Sequence, residues 1–324
     1  MNKNYAISIL RAIALLLIVF HHSFCYNAGL WNNRFPNTLG HQYTPFIDAI
    51  SFIGLFLFTY ISGYIFAAKI LSTSQYNNSL YFIKKKVKRL FFPYVIWGGV
   101  LMFLPGESYM GFFYGMEHLW YLPTIFELFI FFYLTKKIWI KMDAQVCWIA
   151  MCCFILATAC IYHFKPHLIH GRTLLYLPSF FFGIICFKTK LLSSFQRQII
   201  VFFVSLLLFI VLYSYKLLAF YSIPLFGLVL SVHVFWGRLI SSGLIKNSLI
   251  EKIIMTFDVN SMGVYIFHNL FILFLLMYIP QVQLILDKFW IIGPMILFLG
   301  ICLISFLFSS LINRCATLSR ILFG

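Results

Sequence analysis

Long apolar runs with almost no charge inside them recur from one end of this chain to the other, and they exclude most folds. A membrane-spanning helix needs about 20 mostly apolar residues. Windows near 5–24, 46–68, 87–105, 119–135, 144–162, 173–188, 198–213, 218–236, 259–279 and 289–312 qualify. Of 324 residues, 62% are hydrophobic and 10% charged, against about 45–50% and about 25% in ordinary soluble domains. A soluble fold has no interior large enough to hide this surface, so lipid must cover it. The expected fold class is all-α: a polytopic transmembrane helical bundle of about ten spans, forming one integral membrane domain over residues 1–324 with no soluble domain appended. Between spans seven and eight only Ser214 to Leu217 intervene, and a single broken helix there would change the count.

The start of the chain resembles a signal peptide in one respect, Lys3 ahead of an apolar stretch. Arg11 interrupts that stretch, and His21-His22 stand where small residues would mark cleavage, so a retained first helix is expected. The net charge of +16 does not indicate nucleic-acid binding, because the basic residues sit in short groups between apolar runs. Cytoplasmic loops of membrane proteins carry such groups. Lys3, Lys69, Lys84 to Lys86, Lys88, Arg89, Lys136, Lys137 and Lys141 fall on one side, as do Lys188, Lys190, Arg197, Arg238, Lys246, Lys252, Arg314 and Arg320. The other side holds only Arg34, Lys165, Arg172, Lys216 and Lys288. Both termini are therefore expected in the cytoplasm, and an odd number of spans would scramble the asymmetry. The cysteines lie mostly in or beside apolar runs without a CxxC pair, which reads as buried thiols and not as a metal site or disulfide framework. No internal repeat is visible, unlike the duplicated halves of many transporters.

Ionisable groups inside a span are costly and by default mark function. Arg11 and His22 are eleven residues apart, about 20° past three full turns, so they share a helix face roughly 16 Å apart. His21 points about 100° away. Either Arg11 snorkels and His22 rests at the interface, or the face carries chemistry. The run Lys84-Lys85-Lys86-Val87-Lys88-Arg89 before Pro93 is an orientation signal or a clamp for phosphates at a helix end. His118 and Trp120 fall where interfacial aromatics gather. Glu127, a carboxylate in an apolar helix, needs a partner and is either structural or catalytic. Ser261, Tyr265 and His268 are spaced by four and three and line one helix face, facing a wet cavity or serving as packing.

At these residues the chain resembles the acyltransferase family 3 membrane enzymes. That family's first helix carries arginine, ten residues, then histidine; here Leu10-Arg11-Ala12 leads to His22, with Ala12 for the usual glycine. Phe56, Phe58, Ser62, Gly63 and Tyr64 resemble its FF-x-x-SG-[YF] element. Lys86-Val87-Lys88-Arg89 with Pro93 resembles its R-x-x-R before proline, with lysine keeping charge but losing the bidentate fork. His118-Leu119-Trp120-Tyr121-Leu122 resembles its HLWFL block, and Ser261 to His268 its S-x-x-x-Y-x-x-H element. Glu127 lies seven residues after Trp120, where the family variant has its glutamate at five or six.

The resemblance implies transfer of an acyl group, commonly acetyl, from cytoplasmic acyl-CoA to a hydroxyl of an envelope glycan or lipid-linked saccharide, in a bacterial inner membrane. Acyl-CoA would be a co-substrate, with no bound cofactor or metal. His22 would be the general base and Arg11 would hold the donor or orient its carbonyl. Lys86, Arg89 and Ser62 would bind donor. His118, Trp120, Glu127, Ser261, Tyr265 and His268 would line or support the cavity. The polar, aromatic loop 25–45, with Asn27, Trp31, Asn32, Asn33, Asn37 and His41, offers Trp31 as a stacking surface for sugar. A glycan or lipid exporter also accounts for many spans and polar stripes, though not for the Arg11–His22 pairing. A non-enzymatic membrane partner accounts for the hydrophobicity alone.

Overall fold

The computed structural model describes residues 5–31, 34–35, 43–103, 109–164, 171–194, 197–217, 220–243 and 248–324. Asn32, Asn33, Asn37 and His41 of the expected external loop lie outside them, as do Lys3, Lys165 and Lys246 of the charge pattern. Among the described residues every regular element is helical. In chain order these are α1 (Tyr5–Phe24), α2 (Thr44–Ser72), α3 (Ser79–Lys86), α4 (Phe92–Leu101), α5 (Tyr109–Tyr114) and α6 (Tyr121–Leu134). There follow α7 (Lys136–Lys141), α8 (Ala144–Phe164), α9 (Gly171–Lys188), α10 (Leu191–Ser194) and α11 (Gln198–Ser214). The last five are α12 (Ser222–Ser241), α13 (Ser248–Tyr278), α14 (Pro280–Lys288), α15 (Ile292–Arg314) and α16 (Ala316–Leu322).

Five of these helices are long and apolar enough to cross a membrane: α1, α2, α12, α13 over Leu249–Tyr278, and α15. Parts of α8 and the whole of α11 are shorter apolar helices. On α15, Ile296, Leu299, Leu303, Leu307 and Leu311 are exposed while Ile301, Ser305, Ser309 and Ile312 are buried. That reverses the soluble pattern, in which the outward stripe is polar, and it makes lipid the medium this face meets. The expected seventh and eighth spans are two helices, α11 and α12. Lys216 takes φ 55°, and the amides of Lys216 and Leu217 close back on the Tyr213 and Leu212 carbonyls, a left-handed stop that ends α11.

The chain forms two compact units, each discontinuous in sequence: residues 1–10, 56–91 and 120–251 in the first, and 11–55, 92–119 and 252–324 in the second. In the first unit α2 and α9 cross at backbone contact. A Cβ on Gly63 would lie 2.0 Å from the Phe180 carbonyl oxygen, and one on Gly183 would lie 2.2 Å from that of Tyr60. Ser179 Oγ donates to the Phe56 carbonyl at 2.8 Å beside this crossing. Apolar side chains gain little from leaving lipid for one another, so close approach through small residues supplies the packing. The Ser62-Gly63-Tyr64 element is thus first a crossing point. In the second unit a Cβ on Gly263 of α13 would lie 2.2 Å from Ser309 Oγ of α15. Ser309 Oγ also donates to the Asn260 carbonyl at 3.1 Å.

Candidate active site

In the second unit the face shared by Arg11 and His22 on α1 meets a matching face on α13. Arg11 Nη1 donates to Asp258 Oδ1, and His22 Nδ1 lies 3.0 Å from His268 Nε2. Eleven residues on α1 and ten on α13 rise about 16 and about 15 Å, so the two ties are level rungs between helices running in the same direction. Sequence reasoning missed Asp258. The signal was present: a permanent cation within a span requires a counter-charge, and the chain has eight acidic residues to choose from. Asp258 falls one residue before the expected ninth span, whereas α13 begins at Ser248.

At the far end of this ladder three imidazoles gather. Ring centroids of His22 and His268 are 5.0 Å apart, those of His118 and His268 5.0 Å, and those of His22 and His118 6.1 Å. His118 sits in a 3₁₀ turn, Glu117–Trp120, that is strapped to α13. His118 Nε2 donates to the Ile266 carbonyl at 3.0 Å, and Tyr265 Oη donates to the His118 carbonyl at 2.5 Å. Glu117 occupies the left-handed region at φ 44°, and its Oε1 accepts from Arg34 Nη1 at 2.7 Å. That ion pair anchors the segment carrying Trp31, whose ring lies 6.2 Å from His22 at an interplanar angle of 28°. Burial, then the neighbouring His22, pushes the His118 pKa down to about 3, offset in part by its backbone hydrogen bonds; the ring is neutral in ordinary buffers.

His21, the other candidate of the pair, has both ring nitrogens engaged. Its Nδ1 donates to the Ile47 carbonyl at 2.8 Å, and Cys25 Sγ lies 3.3 Å from its Nε2. Of the expected α13 stripe, Tyr265 and His268 reach the cluster. Ser261 turns its hydroxyl back to the Asp258 carbonyl at 2.8 Å.

The remaining expected residues lie in the first unit. Lys86 is buried with its Nζ 3.1 Å from the Phe129 ring centroid. Burial and then the charges of Arg89, Lys69 and Lys85 lower its pKa well below the ordinary lysine range. Lys69, Lys85 and Lys86 all place Nζ within 6 Å of the Tyr76 ring centroid. Arg89 is exposed within a π-helical stretch, Val87–Phe91, just ahead of Pro93, which has no amide hydrogen for the helix ladder. Ser62 is half-buried on α2. Glu127 Oε2 accepts from Thr173 Oγ1 at 2.6 Å, and the Arg172 guanidinium lies 4.7 Å over the Trp120 ring.

The family model described as an acyltransferase domain matches residues 4–314. No curated protein and no solved structure matches the chain. The match covers the Arg11–Asp258 and His22–His268 rungs together with the apolar helices, and the chain belongs to this acyltransferase family as an integral membrane protein.

Proposed function

We propose that this acyltransferase moves an acyl group, acetyl in the simplest case, from cytoplasmic acyl-CoA to a hydroxyl of an envelope glycan or lipid-linked saccharide. We place it in a bacterial inner membrane, with about ten spans and both termini cytoplasmic. The observation that carries the reading is the imidazole cluster at the end of α1: His22 with His268 and His118 beside it and Trp31 alongside. His22 serves as general base. As the acceptor oxygen bonds to the thioester carbonyl carbon, His22 takes the hydroxyl proton. The carbon–sulfur bond then breaks, and the departing thiolate receives that proton. Neutral imidazole is the side chain suited to this exchange near neutral pH.

Arg11, held by Asp258, keeps a fixed positive charge on the same face for the donor. Lys86, Arg89 and Ser62 contribute to donor binding, with Arg89 the exposed cation best able to reach a phosphate. Trp31 offers its face to a sugar ring. The parallel course of α1 and α13 supports the ten-span arrangement, because it requires an odd number of crossings between them and the arrangement supplies seven, spans two to eight.

The test is incubation of the purified protein in lipid with labelled acetyl-CoA and isolated envelope saccharide. The expected result is one labelled acyl group per acceptor. His22→Ala lowers turnover by about 10²–10⁴-fold at unchanged protein level and donor affinity, and His21→Ala is much milder. If acetyl-CoA is neither bound nor consumed while saccharide crosses the membrane, the protein is an exporter and the reading fails.

A further inference from the structure

We infer that His268 is a positioning residue that holds His22 in one tautomer, Nδ1 protonated and Nε2 bare, so that Nε2 is the atom that takes the acceptor's proton. This rests on the reading of His22 as general base. A neutral imidazole carries one proton on two nitrogens, and the partner of one nitrogen decides the state of the other. Here two main-chain carbonyls decide it, because a carbonyl can only accept.

His268 Nδ1 lies 3.1 Å from the Val264 carbonyl, one turn back on its own helix. The proton of neutral His268 is therefore on Nδ1, and its Nε2 is a bare acceptor. That Nε2 lies 3.0 Å from His22 Nδ1. His22 Nδ1 in turn lies 3.0 Å from the Ile18 carbonyl, again one turn back. Both neighbours of His22 Nδ1 are acceptors, so Nδ1 holds the proton and donates between them. The opposite assignment sets a lone pair of His22 against the Ile18 carbonyl and a lone pair of His268 against the Val264 carbonyl. Each would be a buried acceptor facing an acceptor, with the cost of an unmade hydrogen bond.

The third ring does not disturb this order. His118 has its proton on Nε2, committed to the Ile266 carbonyl, and its Nδ1 is buried without a hydrogen-bond partner among the described residues. It has no proton to give to His22 Nε2. The direction of the chain is set by backbone: Val264 carbonyl, His268, His22, and then a bare nitrogen. By contrast His21 Nε2 lies against Cys25 Sγ, which accounts for the base being His22 and not its neighbour.

The test is solid-state nitrogen-15 NMR of the full chain in lipid with labelled histidine side chains. His22 is assigned as the signal pair missing from His22→Gln. The native protein should show His22 with a protonated Nδ1 and a bare Nε2. His268→Leu, which cannot accept, should release a mixture of tautomers and lower kcat by about 10- to 100-fold, as loss of an outer partner typically does, with KM for both substrates unchanged. His268→Gln, which can accept through Oε1, should restore part of both readouts. A native His22 protonated on Nε2, or native tautomer and kcat in His268→Leu, overturns the inference. If the tautomer is as assigned but His22→Ala keeps full turnover, the positional assignment stands and the general-base reading fails.

Discussion

Removing Arg11 or Asp258 separately should damage the protein more than removing both. The pair joins α1 to α13 in the second unit, and each side chain is about one-fifth exposed, 19% and 18%. It is neither a surface pair, typically worth about 0–1 kcal/mol, nor a fully dry one, whose rupture by loss of one partner costs about 3–5 kcal/mol. An intermediate cost near 2 kcal/mol for either single change follows from that partial exposure. Arg11→Ala leaves a carboxylate beside an apolar helix, and Asp258→Ala leaves a guanidinium there. The double change leaves neither, so the two effects should fall short of additive by about 3 kcal/mol, the upper end for residues in contact, and the double variant should lose only about 1 kcal/mol. Heating the four proteins in detergent and following the monodisperse fraction measures stability, and acyl transfer measured in parallel separates fold from function. If the charge of Arg11 serves the donor, the double variant regains stability but not turnover. Strict additivity of the two single changes would refute the rung as an interacting pair. Full activity of the double variant would refute a role for Arg11 in donor binding.

Gly63→Ala should destabilise by about 1–3 kcal/mol, the range for overpacking, because its Cβ would meet the Phe180 carbonyl oxygen at 2.0 Å; the midpoint of thermal aggregation reads the loss. Lys86→Ala with Arg89→Ala should weaken acyl-CoA affinity, and donor analogues lacking phosphate should bind worse to the native protein; unchanged affinity in a correctly inserted variant would leave the cluster as an orientation signal. His118 links stability to acid: protonation is favoured in the unfolded chain near the ordinary value of 6.5 but in the folded chain only near about 3. The unfolded state therefore binds more protons between those values, and stability falls as pH drops below 6.5 until about 3. His118→Gln should flatten that part of a stability-against-pH curve.

Periodicity and burial of apolar surface made much of this protein legible in one dimension. Runs of apolar residues long enough to span lipid marked where most of the long helices lie, although α13 begins at Ser248, well ahead of the expected start at 259, and the short helices between the runs carried no such signal. The 100° step put Arg11 and His22 on one face, because it is local to a helix. Spacing also put Tyr265 and His268 on one stripe, although Ser261, on that same stripe, bonds to its own backbone. What spacing cannot express is which helix lies alongside which. Asp258 opposite Arg11, the Ile18 and Val264 carbonyls that orient two imidazoles, and the Phe180 carbonyl that excludes a side chain from position 63 all come from segments distant in the chain or from ring rotations within a turn. A sequence states which groups can ionise or accept, but the partner that decides each proton's place is supplied only when helices pack and leave a buried polar atom one neighbour to satisfy it.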